Sequence, residues 1–198
     1  MKSIYIYGAS GHGLVVADVA RAFGYDSVLW IDDGDNVHPS FEEVDKTLPI
    51  PIAIGIGNNQ LRANIFEKIL QTNMNLITLI HPSAVVSGSV VMGQGSVVMP
   101  NVVINANTTI GNACILNSSC VIEHENVIGD FVHISPSVAL AGNVTVRDFA
   151  HIGIGASVKQ GVTVGENSVI GAGSVVINNI GSHQIAYGNP CVEKGKQP

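Results

Sequence analysis

Residues 116–145 read, in sixes, LNSSCV IEHENV IGDFVH ISPSVA LAGNVT, and the same spacing runs without a slip from residue 80 to residue 176. Each six opens on an aliphatic residue or Met: Ile80, Val86, Met92, Val98, Ile104 and onward to Val164, Ile170 and Val176. Four places later stands a mostly small residue, as at Ala84, Ser96, Cys114, Cys120, Ala150, Ala156 and Ser174. Asn126 is the one polar break of any size in that column. The place after the aliphatic is often Gly or Asn, as at Gly93, Asn105, Gly111, Gly129, Gly153 and Gly171, and these residues are expected to turn with positive φ.

Neither a helix, with its 3.6-residue period, nor a plain strand, with period two, produces a repeat of six. A short strand followed by a corner does. Three such units make one triangular coil of about 18 residues, and coils stack at roughly 4.8 Å, the spacing of strands in a sheet. One coil alone cannot bury its aliphatics, so stacking supplies the core. A sandwich with regular turns is the alternative, but hairpin loops would break the register. The pattern is the hexapeptide repeat, and here the chain resembles the left-handed β-helix acyltransferases. The left hand comes from that resemblance, since right-handed crossovers are the general rule. The resemblance also implies a homotrimer with acyl-CoA sites between neighbouring prisms.

Outward from the repeat, residues 1–79 alternate strand and helix. Ser3-Ile4-Tyr5-Ile6-Tyr7 is β-prone and enters Gly8-Ala9-Ser10-Gly11-His12-Gly13. A helix follows, with an apolar face of Val15, Val16, Val19, Ala20 and Phe23 and a stop at Gly24. Strands are expected at 27–31, 52–56 and 76–80, and a second helix carries Leu61, Ile65, Ile69 and Leu70. The expected fold class is therefore an α/β half-Rossmann module, residues 1–79, followed by a left-handed parallel β-helix, residues 80–198.

In such parallel sheets ligands sit at the carboxyl ends of strands. Gly8 to Gly13, Asp32-Asp33 and Gly57-Asn58-Asn59 fall there. The glycines let a backbone approach a phosphate at a helix N-terminus, and a carboxylate about 20 residues on can hold a ribose hydroxyl or a base edge. The spacing is GxxGxG, not the dinucleotide GxGxxG, and a purely structural turn also explains it. The module is short for a dinucleotide, so a nucleotide-sugar fits better.

Composition sets outer bounds. The chain has 198 residues, 46% of them hydrophobic, and a net charge of −6 with only nine Lys and Arg, so the basic footprint of a nucleic-acid binder is missing. No apolar run approaches a membrane span and the N-terminus lacks a signal-peptide layout, so a cytoplasmic protein is expected. Met1 suggests an independent start. Three Cys cannot all pair in one chain, and no CxxC or Cys/His ligand spacing appears. The tail after Cys191 is short and polar, which leaves the last coil without an evident cap.

In Val121-Ile122-Glu123-His124-Glu125-Asn126 a His stands between two carboxylates, beside an inward Ile. An outward His at a corner suits general-base work, with a carboxylate to orient the ring, and a solvated surface His is the alternative. Glu123 and Glu125 are both open as its partner. His133 and His151 are one coil apart and should stack, and Gly142 should lie one coil above His124, leaving space and a backbone N–H. Cys114 and Cys120 point inward, which argues against a Cys nucleophile.

Taken together, Tyr7 to Gly13, Asp32-Asp33, Gly57-Asn58-Asn59, Val103-Ile104-Asn105-Ala106, Val121 to Glu125 and Ala141-Gly142-Asn143-Val144 resemble the PglD-type sugar acetyltransferases, close to the sialic-acid O-acetyltransferase (NeuD) group. That resemblance covers almost the whole chain. It implies N-acetylation from acetyl-CoA, without a metal, of the 4-amine of UDP-4-amino-4,6-dideoxy-N-acetylglucosamine, giving UDP-N,N'-diacetylbacillosamine for glycan biosynthesis. It assigns His124 as the base and Glu125 as its polarising partner. Asn117 and His133 would position the amine or the acetyl group. Gly142 N–H would meet the thioester carbonyl. Gly8, Ser10, Gly11, His12, Gly13, Asp32, Asp33, Gly57, Asn58 and Asn59 would hold the UDP-sugar. Ile154, Gly171, Gly173 and Pro190 would border the acetyl donor, although cations for its phosphates are few: Arg147, Lys159, Lys194 and Lys196.

Three other functions compete. An O-acetyltransferase acting on a sialic acid or another sugar is the nearest. A metal-dependent hydrase resembling the γ-class carbonic anhydrases would use His133, His151 and a His124 from a neighbouring subunit, but leaves the N-terminal module unexplained. A non-catalytic UDP-sugar sensor is the third.

Overall fold

The computed structural model describes residues 2–197, so Met1 and Pro198, the outer ends of the two expected units, lie outside the described residues. Strand β1, Ser3–Tyr7, forms the centre of a parallel three-stranded sheet between β2, Ser27–Ile31, and β3, Ile52–Ile54. Helix α1, Gly11–Phe23, stops at Gly24, whose φ of 111° is one that glycine tolerates freely, and whose N–H bonds back to Ala20 and Arg21 carbonyls. Helix α2, Asn59–Leu70, is capped by Asn58, whose side chain accepts from Leu61 N. The strand expected at 76–80 is divided: Leu76 only bridges Ile52, whereas Leu79–Ile80 already opens the repeat.

From Leu79–Ile80 to Val175–Val176, two-residue strands recur at every six and pair in parallel with the strands 18 residues away, as Ile115↔His133 and His133↔His151 show. They form three sheets, the three faces of a left-handed prism. The first positions of the sixes point inward, and from Val98 to Val176 they are at most 3% exposed. Each such burial stabilises by about 1.5–3 kcal/mol, which is what makes the register strict. Ile80, Val86 and Met92, in the first coil, are only partly covered. Leu79 shares one continuous core with Ile4, Ile6, Val16 and Val19 of the α/β unit.

Two expectations are corrected. Gly93, Gly111, Gly129, Gly153 and Gly171 do not turn with positive φ; the left-handed residues lie two places further on, at Gly95, Ala113, Phe131, Gly155 and Gly173. The glycines after the aliphatic are small for another reason: the next turn of chain leaves no room, and a Cβ on Gly153 would sit 2.5 Å from the Ile170 carbonyl. The tail does supply a cap. Gln184–Gly188 pairs in parallel with Val169–Ile170, then folds back antiparallel on Cys191–Lys196, burying Ala186 and Cys191.

The α/β unit is clamped along one edge of the prism. Arg62 is 1% exposed, and its guanidinium donates to Ala113 O at 2.7 Å, Phe131 O at 2.8 Å, Ile56 O, Gly57 O and Asn59 Oδ1. Asn59 Nδ2 donates to Phe149 O at 2.8 Å. Ala113, Phe131 and Phe149 hold the same left-handed corner place on three successive coils. The start of α2 therefore reads a ladder of repeat carbonyls.

Candidate active site

The sequence-derived residues fall at separate places on the chain. The first is the edge that follows the sheet containing Val121–Ile122. His124 and Glu125 stand on its corner with 52% and 60% of their side chains exposed, so the ring lies outside the prism. Glu125 is the left-handed residue of the turn, φ 60°. His124 Nδ1 lies 3.0 Å from Glu125 Oε2. A carboxylate only accepts, so Nδ1 is the nitrogen that donates in this pair, which leaves Nε2 as the one not engaged by Glu125. Glu123 is engaged elsewhere, accepting from Asn105 Nδ2 at 2.9 Å. Gly142 is one coil above; a Cβ there would meet His124 Cε1 at 2.6 Å and Nε2 at 2.7 Å.

The second place is the face holding His133 and His151. Their rings stack 4.6 Å apart at 1°. Asn117 Nδ2 is 3.2 Å from His133 Nε2, and Ser135 Oγ is 2.9 Å from His151 Nε2. His12 approaches His133 to 6.2 Å. Burial, reinforced by His151 and the Arg62 charge, holds His133 down to about 3. Burial and Arg62 likewise lower His12 to about 4 and depress His151. These rings are neutral at neutral pH. His133 and His151 join Gly57, Asn58, Asn59, Gln60 and Phe149 around a cavity of about 520 Å³. Among the described residues no group of three or more His, Cys, Asp or Glu side chains of one chain is placed to hold a metal ion.

The third place is a cavity of about 520 Å³ at the carboxyl ends of β1 and β2, lined by Tyr7, Gly8, Ser10, Asp32, Asp33, Ile56, Leu61, Ile65 and Lys68. Asp32 accepts from Ala9 N at 2.8 Å and from Gly34 N and Asn36 Nδ2, and these bonds lower its pKa. Asp33 accepts from Tyr7 Oη, from Phe41 N at 2.8 Å and from Lys68 Nζ at 3.1 Å. Both carboxylates therefore brace the loop while bordering the cavity. Gly8 has φ 110°, and a Cβ on it would meet Ile56 Cδ1 at 2.6 Å; a Cβ on Gly13 would strike the Gly8 carbonyl. Those two glycines serve strand–helix packing. Gly11 opens α1 with free space around it. Lys68 is a cavity residue that the sequence reading did not single out, its only signal being one helix face, and Tyr7 entered that reading as the first residue of the Tyr7–Gly13 motif and not as a binding residue.

Ile154, Gly171, Gly173 and Pro190 are near the capped end. Gly173 N donates to Ile154 O at 2.8 Å, and Gly171 packs on Tyr187. This corner follows the His133 face, not the His124 face, so one chain does not bring these residues to His124. Cys114 and Cys120 are buried, and burial pushes both thiols up to about 12.

An outward His–Glu pair on a hexapeptide-repeat prism defines a class, the left-handed β-helix acyltransferases. Residues 143–178 match the bacterial transferase hexapeptide family, and residues 3–69 match the PglD N-terminal domain. The acetyltransferase domain of PglB from Neisseria gonorrhoeae, solved with acetyl coenzyme A, is 34% identical, with a TM-score of 0.90 over 98% of this chain and 99% of that one. A mutant GDP-perosamine N-acetyl transferase from Caulobacter crescentus, solved with CoA and GDP-perosamine, is 34% identical, with a TM-score of 0.94 over 99% and 98%. The UDP-N-acetylbacillosamine N-acetyltransferase of Bacillus subtilis is 37% identical over 114 residues, a match that spans 50% of this chain and 52% of that relative. The chain belongs to the PglD-type sugar N-acetyltransferases of the hexapeptide-repeat class.

Proposed function

We propose that the protein transfers the acetyl group of acetyl-CoA to the 4-amine of UDP-4-amino-4,6-dideoxy-N-acetylglucosamine, giving UDP-N,N'-diacetylbacillosamine. One observation carries the reading: His124, oriented through Nδ1 by Glu125, stands on an exposed corner with its ring packed over Gly142, whose lack of a Cβ makes room for it. The neutral amine attacks the thioester carbonyl carbon. His124 Nε2 takes the amine proton, the N–C bond forms, the C–S bond breaks, and CoA leaves as its thiol once protonated. Gly142 N–H faces the oxygen on which negative charge develops. No covalent enzyme intermediate is needed.

The PglD-type N-terminal match and the names of the relatives support a nucleotide-sugar acceptor, which the Tyr7–Lys68 cavity would hold. Division at residues 79/80 into a nucleotide-sugar unit and an acetyl-transfer unit is part of the same reading. So is a homotrimer. His124, the His133 face and the Ile154–Gly173 corner occupy different sides of one prism, and packing of prisms supplies a way for them to meet. A cytoplasmic location fits the acetyl-CoA donor; among the described residues no helix is long and apolar enough to cross a membrane.

The test is release of CoA thiol with a panel of acceptors: UDP- and GDP-amino-sugars, and hydroxyl sugars including a sialic acid. Turnover with a UDP-4-amino-sugar is expected. Acetylation of a hydroxyl sugar alone would move the assignment to an O-acetyltransferase.

A further inference from the structure

Asn126 breaks the apolar column of the repeat, and it does so directly after the His124–Glu125 turn. The places one coil above and two coils above it are Val144 and Val162. Asn126 is 0% exposed, so a bare amide here would be costly, and the side chain is instead bonded through both of its ends. Nδ2 donates to Glu123 O at 2.6 Å and to Ala141 O at 3.1 Å. Oδ1 accepts from Val144 N at 2.7 Å. This pattern fixes the amide orientation, because the flipped group would set oxygen against two carbonyls. Thr108, one coil below, is also buried and donates to Glu123 O at 2.9 Å while receiving Asn126 N at 3.3 Å.

Ordinary corners of this prism close on themselves. Val138 N donates to Ser135 O, Ala156 N to Gly153 O and Val162 N to Lys159 O. At 123–126 and 141–144 the corresponding amides go to Thr108 Oγ1 and to Asn126 Oδ1. Inward polar side chains elsewhere also reach the next coil's turn, as Thr78 reaches Gly93 O and Ser96 reaches Gly111 O. Ser168 bonds in the same two directions, to Glu166 O of its own turn and to Gly181 O of the next; Asn126 is set apart by its place, directly after the His124–Glu125 turn. It joins the residue before His124 to both flanks of Gly142.

We infer that Asn126 is a positioning residue that sets the His124 corner against the Gly142 corner and so fixes where the imidazole stands relative to the amine and the thioester. The inference rests on the acetyl-transfer reading. Its cost to local regularity is the sign: the repeat would be served by Val at this place, and a residue that breaks a local rule beside a reactive group points to a functional constraint.

The experiment compares Asn126→Val, Asn126→Ser and His124→Ala with the wild-type chain in acetyl transfer and in thermal unfolding. Val frees Val144 N to close the 141–144 corner as ordinary ones do, while Thr108 still receives the backbone N of residue 126. Asn126→Val should unfold at the wild-type temperature or above, keep KM for both substrates within about threefold, and lose kcat by on the order of tenfold to a hundredfold, as a small misplacement of reacting groups does. Asn126→Ser, which keeps one donor, should lie between. If Asn126→Val does not fold, Asn126→Ser decides by the same split. A kcat within about twofold of wild type for the folded variant, with His124→Ala impaired, overturns the positioning role and leaves the reading standing. Wild-type turnover in His124→Ala overturns the reading and the positioning role with it.

Discussion

His124 and Gly142 stand one coil apart on the same prism edge, and a single methyl on residue 142 would come within 2.6 Å of the imidazole. The 18-residue coil thus does more than build a core. It packs the ring over a residue that has no side chain, so the first expectation is steric. Gly142→Ala should displace the His124 ring and lower kcat by at least about tenfold, with little change in unfolding temperature because the corner is exposed on the His124 side. Steady-state kinetics beside a melting curve check this; an unchanged kcat would show that the ring's seat on Gly142 does not matter to turnover.

Removing the ring itself should be more severe. His124→Ala is expected to lower turnover by about 10²- to 10⁴-fold, the usual contribution of a general base. Affinity for UDP, measured by calorimetry, should stay near the wild-type value, since the Tyr7–Lys68 cavity is on the other unit. Equal losses in turnover and UDP affinity would place His124 in binding instead.

Arg62 is the main polar clamp between the units. Its guanidinium is held by four carbonyls and one amide oxygen, and although burial lowers its pKa to about 10 it stays cationic at neutral pH. Arg62→Met leaves the Ala113 and Phe131 carbonyls dry, at about 1–3 kcal/mol each. Denaturant unfolding should show a lower midpoint, partly restored by Arg62→Lys; an unmoved midpoint would mean that the apolar contacts alone hold the units together.

The buried histidines make stability depend on pH. In the unfolded chain they protonate near 6.5, in the fold only at about 4 for His12 and about 3 for His133. Between these values the unfolded state binds more protons, so stability present above pH 6.5 is lost as pH falls towards 4, by about 1.4 kcal/mol per histidine per pH unit. Melting temperatures at pH 7.5 and 5 should differ accordingly, and a His12→Asn/His133→Asn variant should flatten the slope. An equally steep slope in that variant would assign the effect to other groups.

The register of the prism was legible from Ile80 onward because every six must bury one aliphatic, and a slip would expose it. The inward place of Cys114 and Cys120 and the stacking of His133 on His151 follow from the same period. Which residue turns with positive φ was not legible. Any of several small residues in a six can serve, and the left-handed place is filled by Ala113, Ser119, Glu125 and Phe131 as readily as by Gly. Nor could the period choose Glu125 over Glu123 beside His124, since that depends on Asn105 drawing Glu123 away. Arg62 carries no signal in the sequence beyond being a cation within a helix. Its role comes from docking against carbonyls 51 and 69 residues away, which no local pattern records.

The most direct measurement is a crystal structure of the protein with CoA and the UDP-4-amino-sugar. The account predicts the sugar nitrogen within about 3.2 Å of His124 Nε2, with the CoA thiol beside it and Gly142 N–H on the side where the acetyl oxygen would lie. An amino-sugar seated in the His133–His151 cavity, with its nitrogen remote from every His124 in the assembly, would contradict it.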